Sequence, residues 1–269
     1  MRREKQNLFN RKKIITAFIV VTIASIIGGI QIKNLDKIPY SPTQYQNLIN
    51  KLKADGYTFV LPKDLGKTNA TKIAVIVHDC DYSLNGAKVF IKTENESGIR
   101  SAFFLRPDPD SWNTTNYFPQ NIQYFRSLES QGWEIGFHYD CLSRGDGNWT
   151  FAMQLFKAQL VYMREFFNIT TTRSHGDVFY NNTFINGVRI YNGWLYQHNM
   201  HTWQDLCLVD ASDWTGLVDS SSLNQTAFYS DSGFHTWNIP ANINARRVMI
   251  NLHTDWWSEN PGHLGYIFG

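Results

Sequence analysis

The chain has 269 residues, of which 43% are hydrophobic and 18% charged. That balance excludes a disordered or low-complexity chain, and the length allows one large domain with a core that needs no disulfide staples. The net charge of +2 is uneven: residues 2–13 hold Arg2, Arg3, Lys5, Arg11, Lys12 and Lys13 against Glu4, which leaves the rest slightly acidic and argues against a nucleic-acid partner.

Residues 1–13 form a basic tail. Residues 14–32 follow as an apolar run, uncharged up to Lys33 and just long enough to span a bilayer as a helix. The basic residues before the run predict a cytoplasmic N-terminus and an extracytoplasmic body, which makes a single-pass membrane protein. A cleaved signal peptide is the main rival, although no A-x-A-like site follows Gly29, and a buried helix is the third reading. Several Asn-x-Ser/Thr triplets agree weakly with export. Residues 33–43 read as a linker with two prolines, and residues 44–269 as the folded domain.

Within that domain, strand-like and helix-like stretches alternate. Residues 44–56 place Tyr45, Leu48, Ile49 and Leu52 at helical spacing before Gly56. YTFVL (57–61) and KIAVIV (72–77) read as strands, and 84–97 as a helix. IRSAFFL (99–105) is the next strand, 119–130 a helix and WEIGFH (133–138) a strand. Residues 150–167 give the strongest helical pattern, with a wide apolar face. TTTRSH (170–175), LCLVD (206–210) and RRVMINLH (246–253) complete the strands. The alternation predicts an α/β fold around a parallel sheet, and the element count fits a distorted, incomplete (β/α) barrel better than a doubly wound sheet. No Gly-rich phosphate loop follows a strand, so no nucleotide is expected.

The strands end in polar clusters. KIAVIV runs into His78, Asp79, Cys80 and Asp81, and WEIGF into His138, Tyr139 and Asp140. TTTRS contains Arg173 and runs into His175 and Asp177. LCLV runs into Asp210, then Asp213 and Trp214, and RRVMINL into His253, Thr254 and Asp255. Each cluster alone has an ordinary explanation as a helix cap or turn. Together they would converge at the carboxyl ends of a parallel barrel, where the chemistry of such folds is placed. His with carboxylates is the donor set of a catalytic divalent metal, while a further acid and a further His could serve as base and acid.

These residues resemble the polysaccharide deacetylase (NodB homology, carbohydrate esterase family 4) superfamily, over roughly residues 44–269. HDCD (78–81) is similar to its D-x-D motif, SAFFL (101–105) to its A-T-F-F strand, and GWEIGFH (132–138) to G-H-E-I-G-x-H. Arg173 in TTRSHGD, the D-x-x-D-W form of Asp210 to Trp214, and Leu252-His253 stand where the remaining motifs would. The resemblance implies a distorted (β/α) barrel that removes acetyl groups from a polysaccharide or peptidoglycan-like glycan. It implies Asp79 as general base, His253 as general acid, Arg173 orienting the base, and Asp213 as a tuning carboxylate. It also implies Asp81 and His138 as ligands of a divalent metal, zinc first among them, and Trp214 with Tyr139 and Asp140 along the substrate.

One motif departs from the family pattern. H-x-x-x-H would put a second ligand at position 142, which is Leu142. The chain is closer to a divergent HDxD/GxHYD-type subgroup, where that His is also absent. His175 is the preferred third ligand, with Asp140 and then Cys141 behind it. A catalytically degenerate, glycan-binding domain is the alternative function, and a metal-independent glycosidase using paired carboxylates is a third. His78 is expected to hydrogen-bond across the barrel end. His198, His201, His235 and His263 are expected to be structural. Cys80 and Cys141 are read either as a disulfide or as free buried thiols, and the odd count of three cysteines leaves one unpaired within a monomer.

Overall fold

The computed structural model describes residues 41–81, 84–107, 117–176, 184–185, 188–189, 191–211, 226–231, 239–254 and 257. The expected anchor at 14–32 lies outside these, as do Asp213 and Trp214. No helix among the described residues is long and apolar enough to cross a membrane. The chain divides into residues 1–38 and residues 39–269, and every element below belongs to the second unit.

Helix α1 (Pro42–Ala54) begins where the Ser41 hydroxyl accepts the N–H of Gln44 at 3.1 Å and Pro42 occupies the first turn. Tyr45, Leu48, Ile49 and Leu52 are its buried side, at the spacing the sequence predicts. Gly56, at φ +83°, then turns the chain into β1 (Thr58–Phe59). A 3₁₀ segment (Pro62–Lys67) leads to β2 (Ile73–Cys80), buried along its whole length. Next come α2 (Leu84–Glu96), β3 (Ala102–Leu105), α3 (Tyr117–Ser130) and β4 (Glu134–Tyr139). Short α4 (Cys141–Arg144), long α5 (Trp149–Arg164) and β5 (Thr171–Ser174) follow. A small antiparallel pair, β6 (Phe184–Ile185) and β7 (Val188–Arg189), precedes helices α6 (Gly193–His198) and α7 (Met200–Asp205). The last strands are β8 (Val209–Asp210), β9 (Thr226–Ser230) and β10 (Arg247–His253).

The main sheet runs β8-β5-β4-β3-β2-β10-β9, with β1 also paired to β2, and every pairing in it is parallel. Among the described residues β8 and β9 stand at the two ends of the sheet, which traces an open barrel. This is the expected α/β architecture with the expected incompleteness.

Side chains alternate across a strand, and here both faces are covered. Ala74, Ile76, Phe103, Leu105, Ile135, Phe137, Val248, Ile250 and Leu252 pack outward with the helices in one large core. Ile73, Val75, Val77, Ala102, Phe104 and Met249 form a second core on the inner face, closed by Leu65 and Ala211. The inner row of each strand ends in polar groups by the same two-residue step. Val75 and Val77 lead to Asp79, Ala102 and Phe104 to Arg106, Gly136 to His138, Arg173 to His175, and Met249 to Asn251 and His253. Register then sets neighbours: His253 pairs with Asp79, and His138 with Arg173.

Two inner residues of β4 make the arrangement possible. A Cβ on Gly136 would come within 2.4 Å of the Phe104 ring, so only glycine leaves room for that ring. Gly136→Ala should therefore destabilise the fold by about 1–3 kcal/mol in chemical denaturation, as overpacked cores do.

At the opposite, amino end of β4, buried Glu134 accepts from the Thr171 hydroxyl at 2.6 Å and the Lys63 N–H at 3.1 Å. Burial pushes its carboxyl from the ordinary 4.5 up to about 7. A carboxyl raised on folding stabilises fully below its unfolded value and loses that contribution as pH rises through the folded one. Between about pH 4.5 and 7 the fold should therefore lose about 3 kcal/mol of stability from this group. Urea midpoints of Glu134→Gln should be much flatter over that range than those of the wild type.

Candidate functional site

At the carboxyl ends of β2, β4 and β5, Asp81, His138 and His175 bring one donor atom each to a common point. His138 Nε2 lies 3.4 Å from Asp81 Oδ1 and 3.1 Å from His175 Nδ1, and His175 Nδ1 lies 3.1 Å from Asp81 Oδ1. Among the described residues this is the one cluster of three such groups close enough to share an ion.

The chemistry of the three atoms fits a metal. His138 Nδ1 faces the backbone carbonyl of Arg173 at 3.1 Å, and a carbonyl can only accept. Nδ1 therefore carries a proton, and the ring turns Nε2 towards the cluster. Burial, with Arg106 behind it, holds His175 below its ordinary pKa against the pull of Asp81, which favours the neutral ring. Burial would raise Asp81, but the two imidazoles outweigh it and hold the carboxyl well below the usual range. Asp81 Oδ1 is buried, with the two imidazole nitrogens as its near polar neighbours. Electron pairs this close repel unless a cation lies between them. Donors about 2.0–2.2 Å from a tetrahedral zinc ion stand roughly 3.3–3.5 Å from one another, close to the spacing seen here.

Asp79, two residues before Asp81, is turned to the same face and is 3% exposed. Arg173 Nε lies 2.8 Å from its Oδ1 and donates to Oδ2 at 3.1 Å, and Asn251 Nδ2 donates to Oδ2 at 2.9 Å. Burial opposes ionisation, but Arg173, His138 and His253 prevail and bring its pKa down to about 2. Arg173 also donates to the Ala211 carbonyl at 2.8 Å, which fixes its guanidinium on the far side. Asp79 is thus ionised at any working pH, and Arg173 is its orienting partner.

His253 completes the cluster on the other flank, its Nε2 3.6 Å from Asp79 Oδ2. Its Nδ1 faces Asp231 Oδ1 at 2.6 Å, and its backbone N–H donates to both Asp231 oxygens. Burial disfavours the charged ring. Asp231 first, then Asp79 and Asp81, overcome that and raise the pKa to about 10. Sequence reasoning did not single out Asp231. Its signal was there: TAFYS (226–230) is β9, and the acid stands at its carboxyl end as in the other strands.

Two residues expected along the substrate are engaged elsewhere. Tyr139 points to the outer core, fully buried, and its hydroxyl donates to Asp210 at 3.0 Å. Asp140 is buried between two arginines, accepting from Arg106 at 2.6 Å and from Arg144 at 2.8 Å. Burial is outweighed by these arginines, which lower its pKa and balance its charge. Arg106, also not singled out from sequence, reaches within 3.8 Å of Asp81.

The nearby residues with structural readings separate in the same way. His78 faces outward, with Nε2 2.7 Å from Glu94 and Nδ1 3.2 Å from the Leu252 carbonyl. Glu94 also accepts from Tyr45, Ser101 and Trp133, which makes it a fully paired buried carboxylate. Cys80 and Cys141 are free, buried thiols, so the disulfide reading is corrected: Cys141 donates to Gln159 and Cys80 to the His78 carbonyl. Cys207 is free and exposed.

No family model matches the chain, and no curated protein matches it in sequence. Several solved structures are similar to this chain, two of them as follows. A polysaccharide deacetylase from Bacillus cereus is 12% identical, with 68% of this chain and 79% of that one covered and a TM-score of 0.38. A CE4 esterase from Streptococcus mutans is 13% identical, with 76% and 84% covered and a TM-score of 0.42.

Proposed function

We propose that this chain is a metal-dependent hydrolase that removes acetyl or similar acyl groups from an extracytoplasmic glycan, held at the membrane by its N-terminal segment. The observation that carries the reading is the donor triangle of Asp81, His138 and His175 set beside an ionised Asp79 and a protonated His253. A glycosidase needs two carboxylates and no such triangle. The acyl-glycan substrate comes from the motif resemblance, and the membrane location from residues 1–32.

A divalent ion on the triangle would polarise the acyl carbonyl and make a bound water more acidic. The protein groups divide the proton work. Asp79 lies beside the triangle and accepts the proton of the attacking water. Its low pKa makes it a weak base, which suits a water already acidified and keeps it unprotonated between turnovers. His253, charged and aimed from the opposite flank, donates to the departing nitrogen or oxygen. Asp231 holds the His253 ring in place through Nδ1 and leaves Nε2 towards the reacting groups.

The purified full chain should bind about one zinc-class ion and release acetate from an N-acetylated glycan. Saccharide binding with neither metal nor acetate would move the assignment to the non-catalytic alternative. Asp79→Asn should lower turnover by about 10²–10⁴-fold while metal content stays near wild type; an active variant would remove Asp79 from the mechanism.

His253 must be protonated to act, so kcat/KM should hold on the alkaline side and fall only near pH 10. Asp231→Asn removes the leading cause of that elevation, and the alkaline limb should move down towards 6.5. At pH 8 this variant should retain roughly a tenth of wild-type kcat/KM. A limb that stays near pH 10 would exclude Asp231 from this role.

A further inference from the structure

The family pattern carries its second imidazole on the helical turn after the first. In this chain position 142 is a leucine buried in the outer core, and the third donor comes from His175, one residue beyond the end of β5. A ligand just off a strand end is placed accurately only if its backbone is fixed on both sides. The His175 N–H donates to the Tyr139 carbonyl at 2.8 Å, which holds it to the end of β4. Its own carbonyl accepts from Asn192 Nδ2 at 3.2 Å.

We propose that Asn192 is the positioning residue that makes His175 a metal ligand; the inference rests on the metal-site reading above. Asn192 is 1% exposed and comes from the turn before α6. Its Oδ1 accepts the N–H groups of Leu142 at 3.0 Å and Ser143 at 2.9 Å. Both lie in the first turn of α4, where helix N–H groups lack partners in their own helix. Asp140 occupies the cap position there but makes no side-chain capping bond, so Asn192 caps α4 from a distance. Its Nδ2 also donates to Ser143 Oγ at 2.9 Å, and that hydroxyl donates to the Asp140 carbonyl at 2.9 Å.

These partners fix which way round the amide sits. Turning it over would set its N–H groups against two backbone N–H donors. One side chain therefore locks the segment following His138 to the backbone of His175. No other residue type offers two donors and a two-lone-pair acceptor in so short a plane. Aspartate keeps the acceptor for α4 and loses the donor to His175, which separates the two jobs.

The test is zinc affinity of the full chain, measured by chelator competition, beside thermal unfolding without metal. Asn192→Asp should bind zinc 10–100-fold more weakly, as supporting contacts to ligands do elsewhere. In a His175→Ala background the same substitution should change affinity less than twofold, because the residue it positions is gone. Asn192→Ser is read in parallel, so that either folded variant decides the matter. Wild-type affinity in a folded Asn192 variant would overturn the inference and leave the metal site standing. Equal losses with and without His175 would also overturn it, because they mark a general effect on the fold. A wild-type chain that binds no zinc would overturn the metal-site reading itself, and this inference with it.

Discussion

The ion pair between Asp79 and Arg173 is the interaction on which the site depends. The two residues belong to β2 and β5, which are separated in the sheet by β3 and β4. Their contact at 2.8 Å requires the sheet to curl until the inner faces of these strands meet above the lumen. Each partner is also tied outward: Asn251 of β10 donates to Asp79, and Arg173 donates to the Ala211 carbonyl just after β8. One continuous chain of polar contacts thus crosses the mouth of the open barrel from β10 to the end of β8. Below it the lumen is filled by Val75, Val77, Phe104 and Met249, which leaves little water to screen the charges. Removing either partner would strand a buried charge, a change that typically costs about 3–5 kcal/mol.

That low-dielectric setting explains why the charges occur in matched sets. Asp79 has Arg173, Asp140 has Arg106 and Arg144, and Asp231 has His253. Asp81 is the exception. Its near neighbours are two imidazoles, one carrying a proton on the far nitrogen and the other held below its ordinary pKa, and its approach to Arg106 is only 3.8 Å. A buried carboxylate facing two imidazole nitrogens is a donor set that could hold a divalent metal ion. Asp140, by contrast, has two arginines of its own.

Much of this was legible in the sequence because parallel strands buried on both faces give continuous apolar runs, and their polar ends stand out. KIAVIV-HDCD and WEIGFH announced both the strands and their chemistry. Finer placement was legible too, through alternation: if His138 faces inward then Tyr139 faces outward, and if Asp79 faces inward so does Asp81 but not His78. Asp231 was hidden because β9 is an edge strand whose residues are half-exposed, so TAFYS lacks the apolar run that marks the inner strands. Asn192 was hidden for a different reason. Its partners lie 17 to 50 residues away, and nothing local distinguishes it from any other turn asparagine. Asp213 and Trp214 fall outside the described residues, and the carboxylate that the structure sets against His253 is Asp231.

Alternation also makes the register of β5 a functional quantity. A slip of one residue would exchange Arg173 and His175 for Thr172 and Ser174, and would remove the partner of Asp79 and one corner of the donor triangle together. The inner face cannot prevent this alone, because β5 has four residues and pairs with a two-residue β8. The outer face supplies the lock. Trp203 donates to the Thr172 hydroxyl at 2.8 Å, Thr172 donates to Asp210 at 3.1 Å, and Tyr139 donates to the same carboxylate at 3.0 Å. The first two contacts need Thr172 to face outward, and a slipped strand would present an inner residue to them. Tyr139 and Asp210 therefore contribute to the chemistry from the opposite side of the sheet, by holding Arg173 and His175 on the face where Asp79 and Asp81 wait for them.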